Sequence, residues 1–144
     1  MPEPNIKPTV LHIITCLNTG GAEMMVLKLI LTLKPSLQSC VIVLRGPGTL
    51  SQQLFDMNVP VYYLDMEPGS LPNLAVMRKL ISIVREFRPD IIHGWMYHGN
   101  LAAAFASIVL YPKPALIWSI RQTLYNFDHE KVLTSLVTIS DENL

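Results

Sequence analysis

The sequence predicts an α/β domain built on a doubly wound, mainly parallel sheet. Half of the 144 residues are hydrophobic and only 15% are charged, as expected for a sheet covered by helices on both faces. Short apolar runs alternate along the chain with longer segments of helical periodicity, and this alternation indicates right-handed βαβ crossovers. The length fits one domain, residues 1–144.

Apolar runs bounded by turn residues predict six strands and at least four helices. The predicted strands are 10–14, 40–44, 60–64, 91–93, 115–120 and 136–139. The predicted helices are 22–33, 50–57, 74–87 and 97–110, with a short helix or an irregular link at 126–134. The clearest helix is Leu74–Phe87, because its apolar residues recur every three or four positions between basic ones.

The predicted strand order places two unusual stretches side by side. In the order 3-2-1-4-5-6, strands one and four are neighbours at the switch point, where ligands bind beyond the carboxyl ends of the strands. Gly20 and Gly21 follow strand one, and the segment from His93 to Asn100 is predicted as the loop after strand four. These two loops therefore predict a site in one shared crevice.

Gly20 and Gly21 open the first predicted helix. Paired glycines let the backbone approach a ligand closely or adopt conformations unsuited to a side chain, and free helix amides favour a phosphate. The dinucleotide fingerprint and the P-loop lysine are missing, so a plain tight turn explains the glycines equally well. Glu23 fits a carboxylate that stabilises the helix dipole.

The segment after strand four carries aromatic and hydrogen-bonding side chains of the kind that bind sugars. His93 closes an apolar strand and fits a core histidine, whereas His98 at a helix start fits a functional role. Tyr97 and Asn100 could orient His98, and Trp95 adds an aromatic surface. The histidine spacing does not match a helix-borne zinc pair, and no cysteine or carboxylate nearby completes a ligand set. We expect no metal site.

Other polar residues give weaker indications. Arg121 ends the fifth predicted strand and could hold a phosphate or carboxylate through its guanidinium. An ion pair with Asp128 or Glu130 would explain it equally well. His12 and His129 belong to no recognisable constellation and are predicted to be structural or exposed to solvent.

The charge balance and the cysteines indicate which kinds of partner and which cellular compartment to expect. Eleven basic residues balance eleven acidic ones, so no overall field attracts nucleic acid. Cys16 and Cys40 lack metal or disulfide spacing and are predicted to be reduced, buried thiols. The longest apolar stretch, 101–111, is too short to span a bilayer, and the start does not resemble a secretory signal. We expect a cytoplasmic protein, with peripheral contact at the inner face of a membrane left open.

Several motifs together resemble family 4 glycosyltransferases. The strand at 10–14 followed by Leu-Asn-Thr-Gly-Gly-Ala-Glu at 17–23 is similar to the opening of that family. Arg-Pro-Asp-Ile-Ile-His at 88–93 and Met-Tyr-His-Gly-Asn-Leu at 96–101 resemble its fourth strand and the following loop. Residues 120–122 and 137–140 match later landmarks. The resemblance covers nearly the whole chain in the right order.

The resemblance implies the N-terminal, acceptor-side half of a GT-B fold. The implied reaction is retaining transfer of a sugar from a nucleotide sugar, with a UDP-sugar as first candidate, to a glycan or glycolipid acceptor. No obligatory metal or further cofactor is implied. By the same resemblance, Gly20 and Gly21 would lie next to the donor diphosphate and the transferred sugar.

The resemblance also implies a histidine that contacts the reacting sugar. Many relatives have His-x-His after the fourth strand, but this sequence has His93-Gly94-Trp95. His98 is therefore the predicted catalytic residue, and His93 is the second candidate for that role. The predicted acceptor or sugar contacts are His93, Trp95, Tyr97, Asn100 and Arg121.

A partner domain is expected as well. Relatives bind the nucleotide with a C-terminal domain that carries Glu-x7-Glu, and no two of the six glutamates here are eight positions apart. Residues 140–144 look like a helix start without a helix body. We therefore expect the chain to be truncated before a C-terminal donor-binding domain and to be inactive alone, because half a cleft neither orients two substrates nor excludes water.

The same architecture also occurs in two other classes of function. A nucleotide-binding oxidoreductase would need a complete glycine fingerprint and an acidic residue closing strand two, where Leu44 and Arg45 stand. A noncatalytic carbohydrate- or protein-binding module on the same architecture is compatible with the sequence and is the alternative to the transferase.

Overall fold

The computed structural model describes residues 6–120 and contains a five-stranded parallel sheet in the order β3-β2-β1-β4-β5. The doubly wound prediction is confirmed over these strands, and the predicted segments at 126–134 and 136–139 lie outside the described residues. In chain order the elements are β1 (Thr9–Ile14), α1 (Gly21–Leu33), β2 (Gln38–Val43), α2 (Ser51–Asp56), β3 (Val61–Tyr63), α3 (Leu74–Phe87), β4 (Ile91–Trp95), α4 (Met96–Ile108) and β5 (Ala115–Ser119).

The loop predicted between the fourth strand and the next helix is wrong. The strand continues through Gly94 and Trp95, which pair with Trp118 and Ser119 of β5. The helix then begins immediately at Met96, whose φ of 61° turns the chain without any intervening loop. A glycine normally weakens a strand interior, so the continuation of the strand through Gly94 is not apparent from the sequence.

Alternating side chains of the strands build one apolar core on each face of the sheet. Leu11, Ile13 and Ile42 pack against helices α3 and α4, whereas Ile14 and Val43 pack against α1 and α2. All five side chains are almost completely buried. A sheet buried on both faces explains the run of apolar residues in each central strand.

The two cysteines differ in environment. Cys40 is buried in the core beneath α3 and α4, and this burial raises the pKa of its thiol to about 12. Cys16 is only half-buried and its thiol donates a hydrogen bond of 3.4 Å to Oε1 of Glu23. The prediction of free thiols is confirmed for both residues, and the prediction of full burial holds for Cys40 alone. No helix between residues 6 and 120 has the length and apolarity to cross a membrane.

Candidate functional site

Backbone hydrogen bonds join neighbouring chain segments beyond the carboxyl ends of the strands. The amide of Leu44 donates to the carbonyl of Ile14 at 2.9 Å, and the amide of Arg45 donates to that of Thr15 at 3.0 Å. The amide of Met66 donates to the carbonyl of Leu44 at 2.9 Å. The chain segments that follow β1, β2 and β3 are therefore held side by side at one edge.

Gly20 and Gly21 lie at this edge, where α1 begins. Gly20 is the N-cap with an extended φ of −164°, and Gly21 does not have a positive φ either. The prediction that these glycines adopt a backbone conformation unsuited to a side chain is therefore wrong. A Cβ on Gly21 would meet no atom within 4 Å, whereas one on Gly20 would collide with the flexible carboxylate of Glu23. No described residue would obstruct a side chain at Gly21, and the place of the pair beside a ligand stays a prediction.

The first turn of α4 lies directly on the ends of β1 and β4. A Cβ on Gly99 would stand 2.5 Å from the carbonyl oxygen of Ile13, and a Cβ on Gly94 would stand 2.6 Å from the Cα of Asn100. Glycine is required at both positions because the helix backbone approaches the strands closely. The prediction that strands one and four are neighbours is confirmed, so the Gly20–Gly21 turn and the start of α4 follow adjacent strands, and their shared site stays a prediction.

His98 is exposed in this first turn of α4, whereas the residues around it are buried. No hydrogen bond joins it to Tyr97 or Asn100, whose side-chain polar atoms have no partner among the described residues. The expected orientation of His98 by these two side chains is therefore absent from the structure. Its role in catalysis stays a prediction.

A buried polar cluster lies at the carboxyl end of β4, on the face of the sheet that is covered by α1 and α2. The indole nitrogen Nε1 of Trp95 donates to Nδ1 of His12 at 3.1 Å, and Nε2 of His93 shares a hydrogen bond of 2.7 Å with Oγ of Ser119. The ring of His93 lies 4.3 Å from that of Trp95 and 5.4 Å from that of His12. We name His12, His93, Trp95 and Ser119 the histidine cluster.

Burial keeps both imidazoles of the histidine cluster neutral. It lowers the pKa of His12 to about 3, with a smaller contribution from the nearby His93. It lowers the pKa of His93 to about 4. His93 is thus a core histidine, as its place on an apolar strand predicts. Sequence reasoning left His12 outside any cluster, although the parallel register that opposes it to His93 could have linked the two.

Three side chains have buried polar atoms that lack a hydrogen-bond partner among the described residues. They are Tyr97 through its hydroxyl, Asn100 through both amide atoms and Trp118 through its indole nitrogen. Buried groups of this kind usually bind an ordered water or a ligand. Direct contact of Tyr97 or Asn100 with a sugar would require the helix turn to shift, and Trp95 already uses its indole nitrogen. Their roles as sugar contacts stay predictions.

Two further expectations concern Arg121 and metal binding. Arg121 lies outside the described residues. Residues 6–120 contain no group of three histidine, cysteine or acidic side chains that could hold a metal ion.

The sequence of the chain matches the model of Glycosyltransferase Family 4 over residues 19–133. This match covers most of the chain and includes the Gly20–Gly21 turn and the β4–α4 junction. The chain belongs to glycosyltransferase family 4. No curated protein sequence matches it significantly.

Solved structures show the same architecture at low sequence identity. HepE (Alr3699) of Anabaena, solved in complex with UDP and glucose, has a TM-score of 0.71 and 20% identity over 92% of this chain. UDP-GlcNAc 2-epimerase from Neisseria meningitidis, bound to UDP-GlcNAc, has a TM-score of 0.55 and 20% identity over 90%. MurG of Acinetobacter baumannii has a TM-score of 0.51 and 17% identity over 84%.

These proteins are much longer than the chain. The matched region is 35% of the HepE chain, 38% of the epimerase chain and 47% of the MurG chain. The chain therefore spans less than half the length of each, and the shared part is an N-terminal GT-B type of Rossmann-like domain.

Proposed function

We propose that the protein takes part in retaining transfer of a sugar from a nucleotide sugar, with a UDP-sugar as first candidate, to a glycan or glycolipid acceptor. The observation that carries this proposal is that the Gly20–Gly21 turn and the His98 turn follow neighbouring strands, β1 and β4, of a family 4 domain. The UDP bound by HepE and the UDP-GlcNAc bound by the epimerase support a nucleotide sugar as donor. Because an epimerase shares this fold, the family match is the finding that favours transfer over epimerisation.

In this proposal the two turns have different tasks. The open space over Gly21 admits the donor diphosphate or its sugar to the start of α1, where free amides and the helix dipole favour negative charge. Glu23 lies beside this point, so its carboxylate has to move aside or face a sugar hydroxyl. His98 would donate a hydrogen bond to the reacting sugar from the start of α4.

A second domain completes the cleft in this proposal. The described residues supply one wall, and the matched region is less than half of each of these solved chains. The partner domain would bind the nucleotide and exclude water, which orients both substrates for reaction. A cytoplasmic location, at the inner face of a membrane if the acceptor is a lipid, fits a nucleotide-sugar donor.

The test is a graded substitution at Gly21 in the full-length protein. Gly21→Ala and then Gly21→Val should progressively block the ligand, with the valine variant at least about 100-fold slower in transfer from a UDP-sugar. Both variants should fold, because a Cβ there meets no neighbouring atom. Enzymatic rates and thermal melts are measured together, and a valine variant with a normal transfer rate would make the glycine pair a simple turn.

A further inference from the structure

We propose that His12 is a positioning residue for His98. His12 lies on β1 and binds the indole of Trp95, the residue from which α4 begins. Through this contact it fixes the backbone that carries His98 into the first turn of α4. This role rests on the proposed function, because it gives a buried residue a task in support of the proposed catalytic histidine.

The contact between His12 and Trp95 is a buried hydrogen bond between two neighbouring strands. Nε1 of Trp95 donates to Nδ1 of His12 at 3.1 Å, and each residue is only 2% exposed. An indole nitrogen can only donate, so Nδ1 of the neutral imidazole has to accept and the ring proton lies on Nε2. The bond therefore sets the tautomer of His12 and the orientation of the Trp95 ring.

The ring of Trp95 is also held from a second direction. The imidazole of His93 lies 4.3 Å from it, with an angle of 30° between the ring planes. An apolar side chain in place of His12 could fill the space but could not direct the indole N–H, whereas a satisfied buried hydrogen bond selects one arrangement of the two rings. The Trp95 side chain thus has a single defined place in the core.

Trp95 is the residue at which β4 turns into α4. It is the N-cap of α4 and has an extended backbone, and the next residue, Met96, has a φ of 61°. A residue other than glycine rarely adopts this left-handed conformation, which persists only where the surrounding contacts hold it. The anchored side chain of Trp95 is such a contact, directly before the turn. His98 follows two residues after Met96, so its place depends on this turn.

β1 holds the same junction at a second point. A Cβ on Gly99 would stand 2.5 Å from the carbonyl oxygen of Ile13, the neighbour of His12. One point of contact alone would let the helix turn pivot, whereas contacts before and after His98 fix the backbone between them. This restraint matters for a hydrogen bond to a reacting sugar, because a misplacement of about 1 Å can cost roughly 100-fold in rate.

The experiment compares substitutions of His12 in the full-length protein. His12→Leu removes the acceptor and leaves the indole N–H buried without a partner, whereas His12→Asn supplies an amide oxygen as a new acceptor. We expect His12→Leu to lower kcat for transfer from a UDP-sugar about tenfold, with little change in KM, because the displaced group acts in the reaction step. His12→Asn should recover most of that loss.

Val41→Ala is the matched control for lost stability. Val41 pairs with His12 across the β1–β2 ladder and is completely buried. Its truncation should lower the melting temperature, as His12→Leu does, but should leave the kcat of the folded protein unchanged. A loss of kcat in Val41→Ala equal to that in His12→Leu would overturn the positioning role.

A double substitution shows whether His12 acts through His98. In a protein that already carries His98→Ala, His12→Leu should cost no further activity, because the group that it positions is gone. A residue that only stabilises the fold would reduce the rate by the same factor in both backgrounds. Equal factors, or a His12→Asn variant as slow as His12→Leu, would contradict the inference.

NMR spectroscopy of the full-length protein gives a readout that does not depend on activity. The indole N–H signal of Trp95 is assigned from its loss in Trp95→Phe. In His12→Leu this signal should shift together with the backbone amide signals of Tyr97, His98 and Gly99. A shift of the indole signal alone would reject the inference, even where the unaltered protein transfers sugar normally. Absence of transfer from every UDP-sugar tested would reject the proposed function, whereas joint shifts would still place the start of α4 under the control of His12.

Discussion

His93 and His98 are close in sequence but have opposite surroundings. His93 is buried, shares a hydrogen bond with Ser119 and lies against the ring of Trp95. His98 faces solvent at the start of α4. A substitution of His93 should therefore lower stability, and a substitution of His98 should slow sugar transfer.

We expect His98→Ala in the full-length enzyme to fold normally and to transfer sugar about 10² to 10³ times more slowly, the usual loss for one hydrogen bond to developing charge. His93→Ala should lower the melting temperature first, because it empties a buried site and leaves Ser119 without its partner. Kinetics and thermal melts on both variants check this. A fully active His98→Ala beside an inactive, equally stable His93→Ala would reverse the two roles.

The histidine cluster should make the fold sensitive to acid. The pKa values of His12 and His93 are about 3 and about 4 in the folded protein, against 6.5 for the ordinary side chain. As the pH falls below 6.5, the unfolded chain takes up these protons first, so the free energy of unfolding decreases. The loss is about 2 kcal/mol for each histidine between pH 6.5 and pH 5. Stability that the histidines contribute is thus complete above pH 6.5 and disappears towards pH 3.

Chemical denaturation at a series of pH values measures how steeply the free energy of unfolding changes with pH. His93→Gln removes one titrating group but keeps a side chain that can still bond to Ser119, so the slope below pH 6.5 should become shallower. An unchanged slope in His93→Gln would show that carboxylates elsewhere dominate the acid response.

At the scale of elements, the sequence predicts most of the fold because both faces of the sheet are covered. The central positions of β1 and β2 are buried on both faces of the sheet and are mostly apolar, and α3 keeps a clear helical period. The β4–α4 junction escaped prediction, since a strand that runs through Gly94 and turns at a positive φ on Met96 depends on contacts distant in sequence. The same contacts explain why Tyr97 and Asn100, predicted at a surface, are buried.

Gly99→Ala should destabilise the protein by about 1 to 3 kcal/mol, because the added methyl group would press on the backbone carbonyl of Ile13, which cannot rotate away. Gly21→Ala is the matched control. It adds the same methyl group in the first turn of another helix, where no atom lies within 4 Å, and should leave the melting temperature unchanged or higher. Equal melting temperatures for both variants would mean that α4 can shift away from β1.

At the scale of the whole molecule, the chain is a member of a family whose fold is shared by proteins more than twice as long. The domain prediction from missing Glu-x7-Glu spacing agrees with that difference in length but is not tested by it. The described residues form the Rossmann-like domain that these proteins share. Sequence reasoning could place that domain through its motifs, whereas the acceptor and the donor sugar depend on surfaces that no motif defines.

A protein limited to residues 1–144 should neither turn over a UDP-sugar nor bind one tightly. Binding energy for the nucleotide would come from the partner domain, and a single wall leaves the phosphates exposed to water. Isothermal titration calorimetry with UDP-glucose and UDP-GlcNAc checks the expectation. Low-micromolar binding by this protein would show that the donor site is complete without a second domain.

The contact of Gly99 with the carbonyl of Ile13 also constrains movement. Backbone lies on backbone at that point, with no side chain between that could change its rotamer. The start of α4, which carries His98, therefore moves together with the end of β1. Any displacement of the His98 imidazole relative to β1 has to come from rotation of its own side chain.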